Sequence, residues 1–236
     1  MNVLLAYRRA FSLLRENFLL FFTLAFAGIV AVTVIEAVLF GIEYTVYGAS
    51  IQGDGDEAVI NLTSGMVLWG LFSQIILSAL SAVLHLAAWD VMRGAPPHPM
   101  AYINRAAQMI LPLFLLSIVV GVVVGLGLML LIFPGIYAFG IFAVLVPVIV
   151  IEGRGFEALM RCIEMSRGRR WQIAFSFTGT IALLFAAMMV SGAVIGVVGS
   201  SIGALLAINT VVSSLVLAFF AIFTTEVYGQ LVADET

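Results

Sequence analysis

Uncharged or nearly uncharged runs of about 20 residues, the length a helix needs to cross a bilayer, recur throughout this chain. No stretch with the composition of a soluble domain separates them. Hydrocarbon offers no water to bond the backbone, so each such run must close its own hydrogen bonds as a helix. Hydrophobic residues make up 63% of 236 and charged residues 10%, with a mean hydropathy of +1.20, more apolar surface than a soluble core can hide. The pattern predicts one all-α, polytopic integral membrane domain over residues 1–236, its six transmembrane helices at 18–40, 67–92, 109–133, 136–151, 173–198 and 205–227. These pair as three helical hairpins.

The charges orient them. Every basic residue is an arginine: Arg8, Arg9, Arg15, Arg93, Arg105, Arg154, Arg161, Arg167, Arg169 and Arg170. With the six spans drawn, all ten fall on one side, and short Arg-rich segments stay cytoplasmic. Both termini are therefore expected inside, with Glu43, Asp54, Asp56 and Glu57 in an outer loop. Ala25-Phe26-Ala27 resembles a signal-peptidase site, but apolar sequence continues to Phe40, so the first run is expected to remain as an uncleaved span. Cys162, the single cysteine, falls in a cytoplasmic segment and is expected to be reduced and inert.

A cytoplasmic amphipathic or basic helix is expected before each hairpin. In the first, Leu4, Tyr7, Phe11 and Leu14 share one face and Arg8, Ser12 and Arg15 turn toward the other, as in a helix lying in the interface. In the third, Phe156, Leu159 and Ile163 form the apolar stripe, and Glu157 precedes Arg161 at a pairing distance of four residues. Arg8, Arg9, Arg15, Arg167, Arg169 and Arg170 are the candidate contacts to anionic lipid headgroups, with Trp171 suited to that depth.

Within the membrane, Gln74, Ser78, Ser81 and His85 follow spacings of four, three and four, one polar stripe on the second span. It reads either as a polar pathway containing a titratable His or as hydrogen bonding between helices, with Asn209, Ser213, Ser214, Ser176 and Thr180 able to answer it. Glu36, Asp90 and Glu226 lie near span ends, and no deep, unpaired carboxylate marks an ion-coupled transporter. Gly121 with Gly125, Gly192 with Gly196, and Ala27 with Ala31 are small-xxx-small patterns that predict close helix packing. Pro134 and Gly135 predict a tight outer turn, after which the fourth span is short and contains Pro147.

Motifs for zinc proteases, serine hydrolases and nucleotide phosphates are absent, so no catalytic residue and no metal ligand is assigned. Gly53-Asp54-Gly55-Asp56-Glu57 does not complete a calcium loop, and Asn61-Leu62-Thr63 accepts a glycan only in a secretory pathway. Replacement of every Lys by Arg, with abundant Ala, Gly and Val, points to a GC-rich bacterial genome.

Phe133-Pro134-Gly135-Ile136, Val146-Pro147-Val148, Glu152-Gly153, Ala158-Leu159-Met160-Arg161-Cys162 and Arg167-Gly168-Arg169-Arg170-Trp171 resemble a six-helix bacterial membrane family. That family includes the membrane domain of some glycerophosphoryl diester phosphodiesterases and YciC-like proteins. The resemblance implies a stand-alone membrane module without the phosphodiesterase catalytic domain, since the chain ends at Thr236 just past its last span. The expected function is non-enzymatic: a protein of the bacterial inner membrane that binds lipid or a partner in envelope organisation. The alternative is a transporter of a small substrate or lipid using the polar stripe. Membrane lipids with anionic headgroups, and a homo-oligomer or protein partner, are the expected contacts, with no cofactor and no nucleic acid.

Overall fold

The computed structural model describes residues 3–41, 45, 50–52, 59–61, 64–198 and 202–235. Glu43, Asp54, Asp56 and Glu57 lie outside the described residues, as do Leu62 and Thr63 of the glycan triplet. Helices dominate: α1 (Val3–Glu16), α2 (Phe18–Phe40), α3 (Ser64–Met92), α4 (Pro99–Gln108), α5 (Ile110–Leu130), α6 (Ile132–Phe142), α7 (Leu145–Ile151), α8 (Ala158–Met165), α9 (Arg170–Val198) and α10 (Ile202–Ala233). Between α2 and α3, β1 (Ser50–Gln52) pairs antiparallel with β2 (Val59–Asn61), an element that the apolar runs do not announce. Among the described residues, five helical stretches are long and apolar enough to cross a membrane: Phe18–Phe40, Gly65–Met92, Ile110–Leu130, Phe133–Ile151 and Gly203–Ala233. The architecture is that of a multi-pass membrane protein.

Side-chain contacts fix how the long helices run. Trp69 Nε1 donates to Glu36 at 3.1 Å, and Gly28 lies beside Leu80, so α2 and α3 are antiparallel. Phe223 and Glu226, in the C-terminal third of α10, meet Tyr7 and Arg9 of α1, and Trp89 near the end of α3 meets Tyr228 edge-on at 5.3 Å. The C-terminal ends of α3 and α10 and the N-terminal end of α2 therefore share one end of the bundle. Phe177 of α9 packs between Phe220 and Phe223, and Arg169 pairs with Asp234, which brings the start of α9 to that same end. The core concentrates there, with Phe21, Leu84, Phe177, Ile222 and Phe223 fully buried.

Several expectations change. Pro134 and Gly135 do not form a turn: the chain reverses at Leu131, which is extended (φ −158, ψ 137), and both residues sit in the first turn of α6. Proline is tolerated there because the first helical N–H groups have no partner to lose. Gly135 uses its missing side chain for close approach, facing Gly127 and Leu128. The expected 136–151 helix is broken into α6 and α7 at Ala143–Val144. Pro147 explains the break, since its ring clashes with the carbonyl four residues back, that of Ala143.

The small-residue patterns also misplace the contacts. A Cβ at Gly121, Gly125 or Gly192 would meet nothing within 4 Å, and Ala27 and Ala31 are exposed; the packing of Gly196 is not described. The tight crossing is elsewhere: a Cβ at Gly140 would lie 2.7 Å from Ala174 Cβ and 2.9 Å from the Arg170 carbonyl oxygen. Backbone cannot retreat as a flexible side chain can. Gly140→Ala is expected to destabilise the protein in detergent by about 1–3 kcal/mol, whereas Gly121→Ala and Gly125→Ala should be neutral or stabilising, by up to about 1 kcal/mol. Thermal unfolding of the three variants checks this, and equal effects would contradict the crossing.

Candidate functional site

Charged side chains gather at the end of the bundle shared by α1, the C-terminal ends of α3 and α10, and the start of α9. Three short helices, α1, α4 and α8, lie among them. The docked face of α1 is narrower than its hydrophobic pattern: Ala6 and Ala10 are fully buried, whereas Leu4 and Phe11 are exposed. Small side chains let α1 approach α10 closely, and Tyr7 Oη donates to the Ser176 carbonyl at 2.7 Å beside Thr180 Oγ1. Arg9 reaches Glu226 Oε1 at 3.3 Å, a carboxylate only 3% exposed that also accepts from Gln230. A cavity of about 380 Å³ opens beside this pair, bounded by Ser12, Leu13 and Met92.

The densest junction centres on Glu152, which sequence reasoning did not single out as a site residue. The chain leaves α7 there and turns at Gly153, whose φ of +72 suits glycine. Arg154 approaches Glu152 at 2.8 Å, Arg161 at 3.3 Å, and Tyr228 donates to it at 3.1 Å. Arg161 also holds Glu235, so one guanidinium ties the end of α7 to the end of α10. The hydrogen bond to Glu235 first, and then attraction to Glu152, hold that guanidinium more firmly protonated than usual. The expected Glu157–Arg161 pair does not form, because Arg161 turns to these two acids and Glu157 points to the exterior. Phe156 precedes α8 and is exposed; Ala158, Cys162 and Met165 make its buried face. The only sequence sign of the hub is Glu152-Gly153, an acid and a helix stop in the middle of an arginine-rich segment.

The remaining arginines divide by what they meet. Arg169 pairs with Asp234. Arg93 stacks over Trp89 at 4.3 Å, Arg105 reaches the Val150 carbonyl, and Asp90 accepts from Tyr102 rather than from Arg93. Arg170 donates to Tyr137 Oη at 2.6 Å and to the Ile163 carbonyl, both neutral partners. Arg8, Arg15 and Arg167 are exposed and have no acidic partner among the described residues. Arg167, Arg170 and Trp171 border a cavity of about 410 Å³, and the exposed ring of Trp171 stacks on exposed Phe175. Of the six arginines named for lipid, Arg9 and Arg169 are thus held by acids, and Arg8, Arg15, Arg167 and Arg170 are not.

The polar stripe is not buried as a unit. Gln74 is exposed, Ser78 and His85 are buried, and Ser81 lies between. Ser78 Oγ donates to the Gln74 carbonyl at 2.7 Å, and His85 Nδ1 lies 2.7 Å from the Ser81 carbonyl, which only accepts, so Nδ1 carries the proton. Ser176, Thr180 and Ser214 likewise bond within their own helices, and Asn209 is exposed. His85 Nε2 and Thr224 Oγ1 are buried without a partner among the described residues. No group of three or more His, Cys, Asp or Glu side chains forms a candidate metal centre among the described residues. Compared with known protein families, curated proteins and solved structures, the chain finds no match.

Two tests follow from this geometry. Burial first, and then the Glu152 charge, push the fully buried Cys162 thiol up to about 12, so iodoacetamide at pH 8 should leave it intact in folded protein and modify it in SDS. Fast native modification would contradict the packing of α8. Glu152→Gln is expected to lower stability by about 1–2 kcal/mol, discounted for partial exposure, with Glu157→Gln close to neutral. Unfolding midpoints that move equally would remove Glu152 from its central position.

Proposed function

We propose that the chain is a non-enzymatic module of the bacterial inner membrane, with both termini cytoplasmic, that holds anionic lipid at its arginine rim in the service of envelope organisation. The observation that carries this reading is the division of the arginines. Acids immobilise Arg9, Arg154, Arg161 and Arg169 and staple helix ends together, while Arg8, Arg15 and Arg167 extend outward with no acidic partner among the described residues. Exposed Leu4 and Phe11 on α1, and Trp171 and Phe175 on α9, add apolar surface to the helices that carry or adjoin those cations, the arrangement that suits a headgroup with its chains below. Cytoplasmic placement follows from the positive-inside rule, and α9, at 29 residues, is long enough to be a further crossing. The motif resemblance to the six-helix family supports the same assignment.

The transporter reading is weaker. Ser78 and His85 Nδ1 bond within their own helix, and Gln74 does not face the interior with His85. Each arginine near an anionic leaflet contributes about 1 kcal/mol, so Arg8→Gln, Arg15→Gln and Arg167→Gln combined should cut retention of phosphatidylglycerol on detergent extraction strongly without altering the unfolding midpoint. Native mass spectrometry reads the bound lipid. The Gln74→Leu, His85→Leu double variant should retain lipid and activity in vivo; its failure in a fully expressed, folded protein would favour transport.

A further inference from the structure

The segment from α5 through α7 contains no charged residue between Ile110 and Ile151, the length of two crossings. Its packing is not that of two crossings. The entry to α5 lies at the arginine end: Arg105 reaches the Val150 carbonyl, and Pro112 is the neighbour that a Cβ at Gly155 would meet at 3.8 Å. The exit lies there too, since Glu152 bonds Tyr228 and Arg161. The decisive contact is in between. Gly140 is pressed against the Arg170 carbonyl and Ala174, in the first turns of α9, and Tyr137 both bonds Arg170 and packs on Trp171 at 5.5 Å.

Helix geometry then bounds the position of the reversal. Pro134 precedes Gly140 by six residues of helix, and Ala174 follows Arg170 by four, spans of about 9 Å and about 6 Å along a helix at 1.5 Å per residue. Even with both directed straight away from the arginine end, Pro134 lies at most about 15 Å from the level of Arg170, half of a hydrocarbon core of about 30 Å. The reversal at Leu131 is only three residues further, and Gly127, on the returning side, lies against Gly135.

We infer that residues 110–151 enter and leave the bilayer on the arginine face, forming a re-entrant apolar hairpin that turns back near the bilayer midplane, whose partner is lipid acyl chains. This placement rests on the reading of the arginine end as interfacial. Only Leu113 and Leu116 of α5 are buried by protein, while Val122, Leu126, Met129, Leu130 and Leu131 are exposed, a surface that hydrocarbon covers and water does not. Most backbone hydrogen bonds close within the helical limbs, and at the reversal the N–H of extended Leu131 bonds the Gly127 carbonyl.

Sidedness of cysteine labelling tests this, with buried Cys162 left in place. Single Leu131→Cys, Met129→Cys, Gly65→Cys and Arg167→Cys proteins are treated with a membrane-impermeant maleimide in intact spheroplasts and in inverted vesicles. Gly65→Cys should react about tenfold faster in spheroplasts and Arg167→Cys about tenfold faster in inverted vesicles, whereas Leu131→Cys and Met129→Cys, covered by hydrocarbon, should stay unmodified in both until detergent exposes them, since a polar reagent does not enter the core. Leu131→Cys and Met129→Cys reacting faster in spheroplasts, with the two controls as expected, would overturn the re-entrant hairpin and leave the arginine-face reading standing. Reversal of the controls would overturn that reading itself. Leu131 and Met129 are both exposed, so either substitution leaves the packed core unchanged.

Discussion

A guanidinium group does not enter hydrocarbon without a partner, and ten of them on a chain this apolar fix one end of the bundle at a membrane surface. Everything else is arranged from that end. Acids at the ends of α7 and α10 are placed where the arginines must be, and they convert a topological necessity into connections between helices distant in sequence. Glu152 and Glu235 share Arg161, Asp234 takes Arg169, and Glu226 takes Arg9. Within the apolar layer packing rests mainly on aromatic contacts around Phe177 and Phe223 and on close approaches at Gly28 and Gly140, with the Trp69–Glu36 bond joining α2 to α3.

The same constraint accounts for the short helices. α1, α4 and α8 each carry arginine on one side and small buried residues on the other: Ala6 and Ala10, Ala106, Ala158 and Cys162. Alanine at these positions brings helix axes close without bulk, while the arginine stems reach past the backbone to acids or to the exterior. The fold is tightest where its charges are, and loosest along α5, most of whose side chains face away from protein.

Apolar runs were enough to read a predominantly helical, multi-pass chain, because hydropathy depends only on composition over a window. Partner choice was not legible. Glu157 stands at helical pairing distance from Arg161, yet the guanidinium turns to Glu152 and Glu235, and nothing local distinguishes these acids. Gly121 and Gly125 have the spacing of a packing motif but face no helix, while Gly140, without a companion glycine at that spacing, makes the closest crossing with α9. Spacing reports which residues share a face and cannot report which face meets a neighbour. Pro134-Gly135 likewise has turn composition, yet the reversal falls three residues earlier, at Leu131, because proline is accommodated in the first turn of α6.

The depth of the α5–α6 reversal relative to the arginine rim tests the central claim most directly. A cryo-electron density map of the protein in a lipid nanodisc would show both headgroup layers beside the helices. The account predicts one layer at the level of Glu152, Arg167 and Arg170, with Pro134 on the same side of the bilayer midplane. Headgroup density of the opposite layer at Pro134 would contradict it.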